Sequence, residues 1–231
     1  MIRLKPLGLV GHIECPKAIS HKIKNDSYLL EGDMIVSIKQ AEWLFSKKLN
    51  RYVISSPFSK WPGKTVYYQF VEFFPEKVIK LVKESLNEVM RFTCLQFREG
   101  ENSDGKHISI KNYENKCWSS VGYSEVSEQI IVLSETCTSK DIIHVFLHAA
   151  GFFHQQSSPE RDNHVEIKWE NILEGYKRNF DKYAIDTSFG QPYDFNSIMH
   201  FRRDAFSSNG QPTILAKTFP ESLLMGEAKT L

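Results

Sequence analysis

The stretch His144-Val145-Phe146-Leu147-His148-Ala149-Ala150-Gly151-Phe152-Phe153-His154 decides how this 231-residue chain is read. Residues four apart share a helical face, so His144 and His148 can aim two imidazoles at one point. Gly151 tolerates the left-handed turn that ends such a helix, and the returning chain brings His154 in as a third nitrogen ligand. Three nitrogens with one open position is zinc coordination of the catalytic type. The alternative is three unrelated histidines satisfied in a core or exposed to water. Thr138, with Asp141 three residues on, forms a capping pair before the apolar run that carries the first two histidines. Ile142, Ile143, Val145, Phe146, Leu147, Ala149 and Ala150 leave almost no polar face, which predicts a buried helix. Buried imidazoles need partners, and zinc would satisfy one nitrogen of each.

The frame resembles H-E-x-x-H-x-x-G-x-x-H, the extended zinc motif of metzincin peptidases, and its flanks resemble the astacin family in particular. Gly151 to Asp162 (GFFHQQSSPERD) is similar to that family's GFxHExxRxDRD. Tyr193 to Ser207 (YDFNSIMHFRRDAFS) is similar to its Met-turn region, with Met199 at the methionine beneath the metal. The likeness runs from about Trp61 onward. It implies an α+β fold with a sheet-and-helix upper lobe, an irregular lower lobe and a zinc cleft between them. It further implies Zn2+ on His144, His148 and His154, and peptide or protein bound in the cleft.

The departures fall on catalysis. Val145 stands where the family has the glutamate that takes a proton from the attacking water and delivers it to the leaving amine. Phe201 replaces the Met-turn tyrosine that stabilises the transition state, keeping the ring without the hydroxyl. Gln155 replaces the glutamate that pairs with the new N-terminus after activation, Ser158 replaces an arginine, and Arg202 stands where glycine is usual. These replacements predict a zinc-binding pseudoprotease. An active secreted metalloendopeptidase with an unidentified base, for which Glu160 is nearest in sequence, is the alternative. Drift in a disused gene would also remove such residues.

Residues 1–51 resemble a prosegment and 52–231 the peptidase domain, which is expected to stop short of the family's last segment. Leu29 to Met34 (LLEGDM) resembles the latency motif F-x-G-D, with Leu30 at the Phe position and Asp33 as the aspartate that takes the fourth zinc position; a plain turn at Gly32-Asp33 is the other reading. Lys47, Lys48 and Arg51 lie where the family is cut, although a solvated loop explains them equally well. Cys117 and Cys137 match a family disulfide. Cys94 matches a cysteine whose family partner has no counterpart after Cys137, so Cys15 and Cys94 either pair or remain buried free thiols.

The family and its cysteines point to secretion, yet Met1 to Cys15 shows no signal peptide. Asn25-Asp26-Ser27 is a glycosylation acceptor in a secreted chain. A formal net charge of +1 carries no nucleic-acid signal, and no apolar run approaches a membrane span. At 41% hydrophobic the chain can bury one sizeable core with an appendage. Strands are expected at Val66 to Val71, His107 to Lys111 and Gln129 to Leu133, a helix opening at Pro75, and a further helix near Glu170 to Tyr183 whose Ile172, Tyr176 and Phe180 form an apolar stripe.

Overall fold

A computed structural model describes residues 19–22, 27–45, 60–113, 115–124, 128–188, 190–218 and 225–227. Thr65–Phe70 (β4), Gln96–Glu99 (β5), Ile108–Asn112 (β6), Trp118–Ser120 (β7) and Gln129–Leu133 (β8) belong to one sheet. β4 pairs in parallel with β5 and β6, β6 in parallel with β8, and β7 runs antiparallel to β8. Helix α2, Glu76–Phe92, presents Val78, Val82, Leu86 and Val89 to this sheet at helical spacing. Helix α3, Ser139–Ala150, carries the first two histidines; Ser85 of α2 meets Ser139 at 2.7 Å, and the Trp61 indole donates to the Ala149 carbonyl at 2.9 Å. The result is the α+β architecture expected, with the core between sheet and helices.

The N-terminal residues are more than an appendage. Ile19–Lys22 (β1), Ser27–Leu30 (β2) and Met34–Ser37 (β3) extend the sheet to eight strands in the order β1-β2-β3-β7-β8-β6-β4-β5. β3 runs parallel to β7, pairing Met34 with Ser119 and Ile35 with Ser120. Helix α1, Ile38–Phe45, then lays Ala41 and Leu44 into a second apolar cluster with Tyr28, Leu30, Met34 and Val36 of the strands and Val121, Phe153 and Tyr183 of the main body. Burial alternates along SYLL, with Tyr28 and Leu30 inward, whereas Met34, Ile35 and Val36 of MIVS are all buried.

The lower lobe is irregular, as expected, but its proposed helix is not α-helical. Trp169–Asn171 and Glu174–Phe180 are tight 3-10 turns. Their backbone is anchored to other parts of the lobe: Leu173 N–H donates to Phe206 O, and the Arg161 guanidinium caps Phe180 O at 2.6 Å. Ile172 and Phe180 are buried, whereas Tyr176 is exposed and stacks on Phe206, so the expected three-residue stripe is broken. Val165–Ile167 (β9) and Ile214–Ala216 (β10) close the lobe as an antiparallel pair over Phe180, Phe195 and Met225.

Cys117 and Cys137 form a disulfide across the base of the antiparallel β7 and β8. Cys94 is a free thiol and exposed, which corrects the expectation of a buried one: it follows the end of α2 at a turn that points outward. Cys15, Asn25, Asp26, Lys47, Lys48, Arg51 and Tyr52 lie outside the described residues. No helix among the described residues is long and apolar enough to cross a membrane.

Candidate metal centre

The local structure of α3 follows from its sequence. Thr138 accepts from Asp141 N–H while the Asp141 carboxylate accepts from Thr138 N–H, a reciprocal cap that starts the helix. Gly151 ends it at φ 108, and its N–H returns to the helix carbonyls. One turn later His154 faces back toward His144 and His148. The Gln155 N–H donates to Met199 O at 2.8 Å, fixing the third histidine's neighbour to the Met-turn. Met199 itself is buried in the main core.

Each imidazole has its Nδ1 occupied. His144 Nδ1 donates to Ile198 O and His148 Nδ1 to Phe152 O, both at 2.8 Å, and His154 Nδ1 meets the Glu31 carboxylate at 2.7 Å. Carbonyls only accept, so the first two rings hold their proton on Nδ1 and turn a bare Nε2 lone pair inward. His144 Nε2 and His154 Nε2 stand 3.2 Å apart. Nitrogens that close need a metal ion between them or a proton on one of them.

Asp33 reaches the same point from the tip of the β2–β3 hairpin. Its Oδ2 lies 2.9 Å from His144 Nε2 and 3.3 Å from His154 Nε2, and its Oδ1 lies 3.6 Å from His148 Nε2. All four ligand atoms fall within 4.8 Å of one another. Ligands at zinc-ligand distances of about 2.0–2.1 Å in a tetrahedron would be separated by roughly 3.3–3.4 Å, so the spacing fits the ion. His148 Nε2 and Asp33 Oδ1 are buried without a hydrogen-bond partner among the described residues. Orphaned ligand atoms aimed at one point are what a metal would satisfy. The cluster is therefore able to hold zinc, and His144, His148, His154 and Asp33 would be its ligands.

The electrostatics of the protein groups alone point the same way. Burial favours neutral His154, but Asp33 and Glu31 outweigh it and push its pKa up to about 10. Burial takes His148 down to about 4 against the pull of Asp33. The Asp33 carboxyl is held well below its ordinary value despite burial, by His154 and His148. The carboxylates thus draw positive charge to His154, while burial opposes it at His148.

Val145, on the same helix, is 1% exposed and packed in the main apolar core. Phe201 turns its ring against His154, with centroids 4.8 Å apart, and donates its backbone N–H to the buried Gln156 side chain. Gln155 is half-buried and Ser158 buried, its N–H closing a turn onto Gln155 O. Arg202 is exposed and faces Asp204 and Glu227. Glu160 is exposed before the 161–163 turn and lies outside the metal cluster. Sequence reasoning missed Glu31 and Tyr183, whose hydroxyl donates to Glu31 Oε2 at 2.7 Å. The signal for Glu31 was a second acid beside the Gly32-Asp33 turn.

This arrangement, three histidines on a capped helix and its return with a methionine turn beneath, is that of a zinc-dependent metzincin peptidase. The chain belongs to the astacin peptidase family, whose profile matches residues 53–231. It is 34% identical over 213 residues to the zinc metalloproteinase nas-14 of Caenorhabditis elegans, covering 90% of this chain and 41% of that protein. It is 30% identical over 216 residues to nas-6 of the same organism, covering 90% and 60%. The mouse astacin-like metalloendopeptidase is 31% identical over 205 residues, covering 85% and 44%. The chain thus spans about two to three fifths of these relatives. The medaka hatching enzyme HCE-1, a zinc-protease, shares the fold with a TM-score of 0.65 at 27% identity, over 75% of this chain and 87% of that one.

Proposed function

We propose that this chain is a zinc-binding astacin scaffold with its peptidase activity lost or severely reduced. It would consist of a prosegment-like region, residues 1–51, and a peptidase-type domain, residues 52–231. The observation that carries the reading is the pairing of Val145, buried in apolar core at the general-base position, with Asp33 at the fourth position of the histidine cluster. Zinc, when bound, supplies the Lewis acidity that peptide hydrolysis needs. What the chain lacks is the group that moves the proton: valine can neither accept it from water nor hand it to the leaving amine. A positioned general base contributes roughly 10²–10⁴ in rate, and one transition-state donor, absent at Phe201, roughly 10²–10³. Either loss alone leaves a poor protease.

Asp33 serves as a latency ligand in this reading. β3 pairs with β7, the 27–45 segment packs on Val121, Phe153 and Tyr183, and Asp33 stands among the histidines; in this reading a peptide or protein ligand enters only when that segment leaves. The Cys117–Cys137 disulfide supports a secretory route, since such bonds persist outside the reducing cytosol.

A second reading, an active secreted metalloendopeptidase using another base, is favoured by the names of its relatives, all metalloproteinases or metalloendopeptidases. Metal analysis and cleavage of a broad peptide library separate the two. The chain is assayed with and without the residues before Tyr52, beside a Val145→Glu, Phe201→Tyr double variant. Zinc with activity only after restoration supports the first reading. Cleavage by the unaltered residues supports the second.

A further inference from the structure

The three ligand histidines are not held alike. His144 and His148 lean on backbone carbonyls of the peptidase-type domain, Ile198 O and Phe152 O. The Nδ1 of His154 instead meets a side chain of the N-terminal segment, Glu31, at 2.7 Å, and both side chains are fully buried. Tyr183 donates to the same Glu31 oxygen, so the carboxylate is pinned from a second direction. The hairpin tip is shaped to deliver it. Glu31 adopts φ 55 and Gly32 φ 100, and the three-residue loop between paired Leu30 and Met34 turns Glu31 and Asp33 toward the histidines. Ser119 N–H fixes the Asp33 carbonyl at 2.8 Å. A Cβ on Gly32 would stand 3.3 Å from the Phe206 ring, so the tip is seated closely.

We propose that Glu31 is a positioning residue of the metal centre, holding His154 in the ligating tautomer and supplying, with Asp33, the second negative charge that offsets a divalent cation. The inference rests on the zinc-binding reading above. Its chemistry is that of an outer carboxylate on a metal-bound histidine, which fixes the ring and raises its basicity. Three neutral imidazoles, two carboxylates and a divalent ion sum to zero, the balance that a largely buried site favours. Residues 31–33 therefore tighten the metal binding of the three histidines, and the segment is a structural part of the centre as well as its cover.

Zinc affinity of the full chain is measured by competition with a chelating indicator, and the cobalt(II)-loaded protein gives the visible ligand-field spectrum. Glu31→Gln keeps an acceptor but drops the charge, and should bind zinc about tenfold more weakly; Glu31→Ala drops both and should lose up to about 100-fold. Both should shift the cobalt spectrum. Val89→Ala, in the α2 core apart from the 27–45 segment, lowers the melting temperature and leaves affinity and spectrum as they were. If the Glu31 variants fail to fold, Tyr183→Phe removes a second hydrogen bond to Glu31 and should weaken zinc several-fold. Affinities within threefold of the unaltered chain, with unchanged spectra, overturn the proposal. An unaltered chain that takes up no zinc overturns the parent reading as well, and is seen before any variant is made.

Discussion

Restoring the glutamate is the perturbation that probes position 145 most sharply. Val145 is 1% exposed, inside the cluster formed by the sheet, α2 and α3. A glutamate there has no described cation to meet unless it reaches the metal, whose fourth position Asp33 would fill. An unpaired buried carboxyl stays neutral, its folded pKa lying above the unfolded value of about 4.3. The sign follows from linkage: the unfolded chain releases a proton that the folded chain keeps, so the penalty is small below pH 4 and grows as pH rises toward the folded pKa. At about 1.4 kcal/mol per pH unit, Val145→Glu should lose about 1 kcal/mol at pH 5 and about 4 kcal/mol at pH 7, with up to about 1–3 kcal/mol more from overpacking at both. Urea denaturation of the variant and the unaltered chain at the two pH values measures the difference directly. The full-length variant should also cleave no peptide. Equal stability at both pH values, or peptidase activity with the segment in place, would mean that position 145 opens to water and is not buried in the core.

Further outcomes follow from the same geometry. Gly32→Ala forces a side chain into φ 100 against Phe206 and should destabilise the chain by about 1–3 kcal/mol, read as a lower denaturation midpoint. His200 is buried and its pKa is drawn down to about 4, chiefly by burial. The unfolded chain protonates first as pH falls below about 6.5, so stability on the order of 3 kcal/mol is present above that pH and lost toward pH 4; His200→Gln should flatten this part of the stability profile. Cys117→Ser opens a loop of sequence separation 20 and should cost about 3 kcal/mol in equilibrium unfolding. Stripping zinc with a chelator should lower the melting temperature, because free ion at 1,000 times its dissociation constant stabilises by about 4 kcal/mol.

The parts of this fold that announce themselves in sequence are the ones governed by short-range rules. The Thr138/Asp141 cap, the apolar run of α3, Gly151 and the i, i+4 histidines are all local, and so are the β4, β6 and β8 strands, whose bounds fall within a residue or so of expectation. The role of 27–45 is different. β3 pairs with β7 across more than eighty residues of sequence, and nothing in MIVS names its partner. Glu31 was invisible for the same reason: it meets a histidine 123 positions away. The stretch from Glu170 misled because Ile172, Tyr176 and Phe180 carry helical spacing while the Phe180 carbonyl is claimed by Arg161 and the Leu173 amide by Phe206. Tertiary bonds overrode the pattern there.

Whether this is a metal site without its base is decided by zinc stoichiometry and peptide-library cleavage on the same preparation, with the residues before Tyr52 removed so that Asp33 cannot mask the metal. Bound zinc is expected, with no chelator-sensitive cleavage until Val145→Glu and Phe201→Tyr are introduced together. Cleavage by the unaltered domain that disappears on adding a chelator and returns with zinc would contradict that expectation.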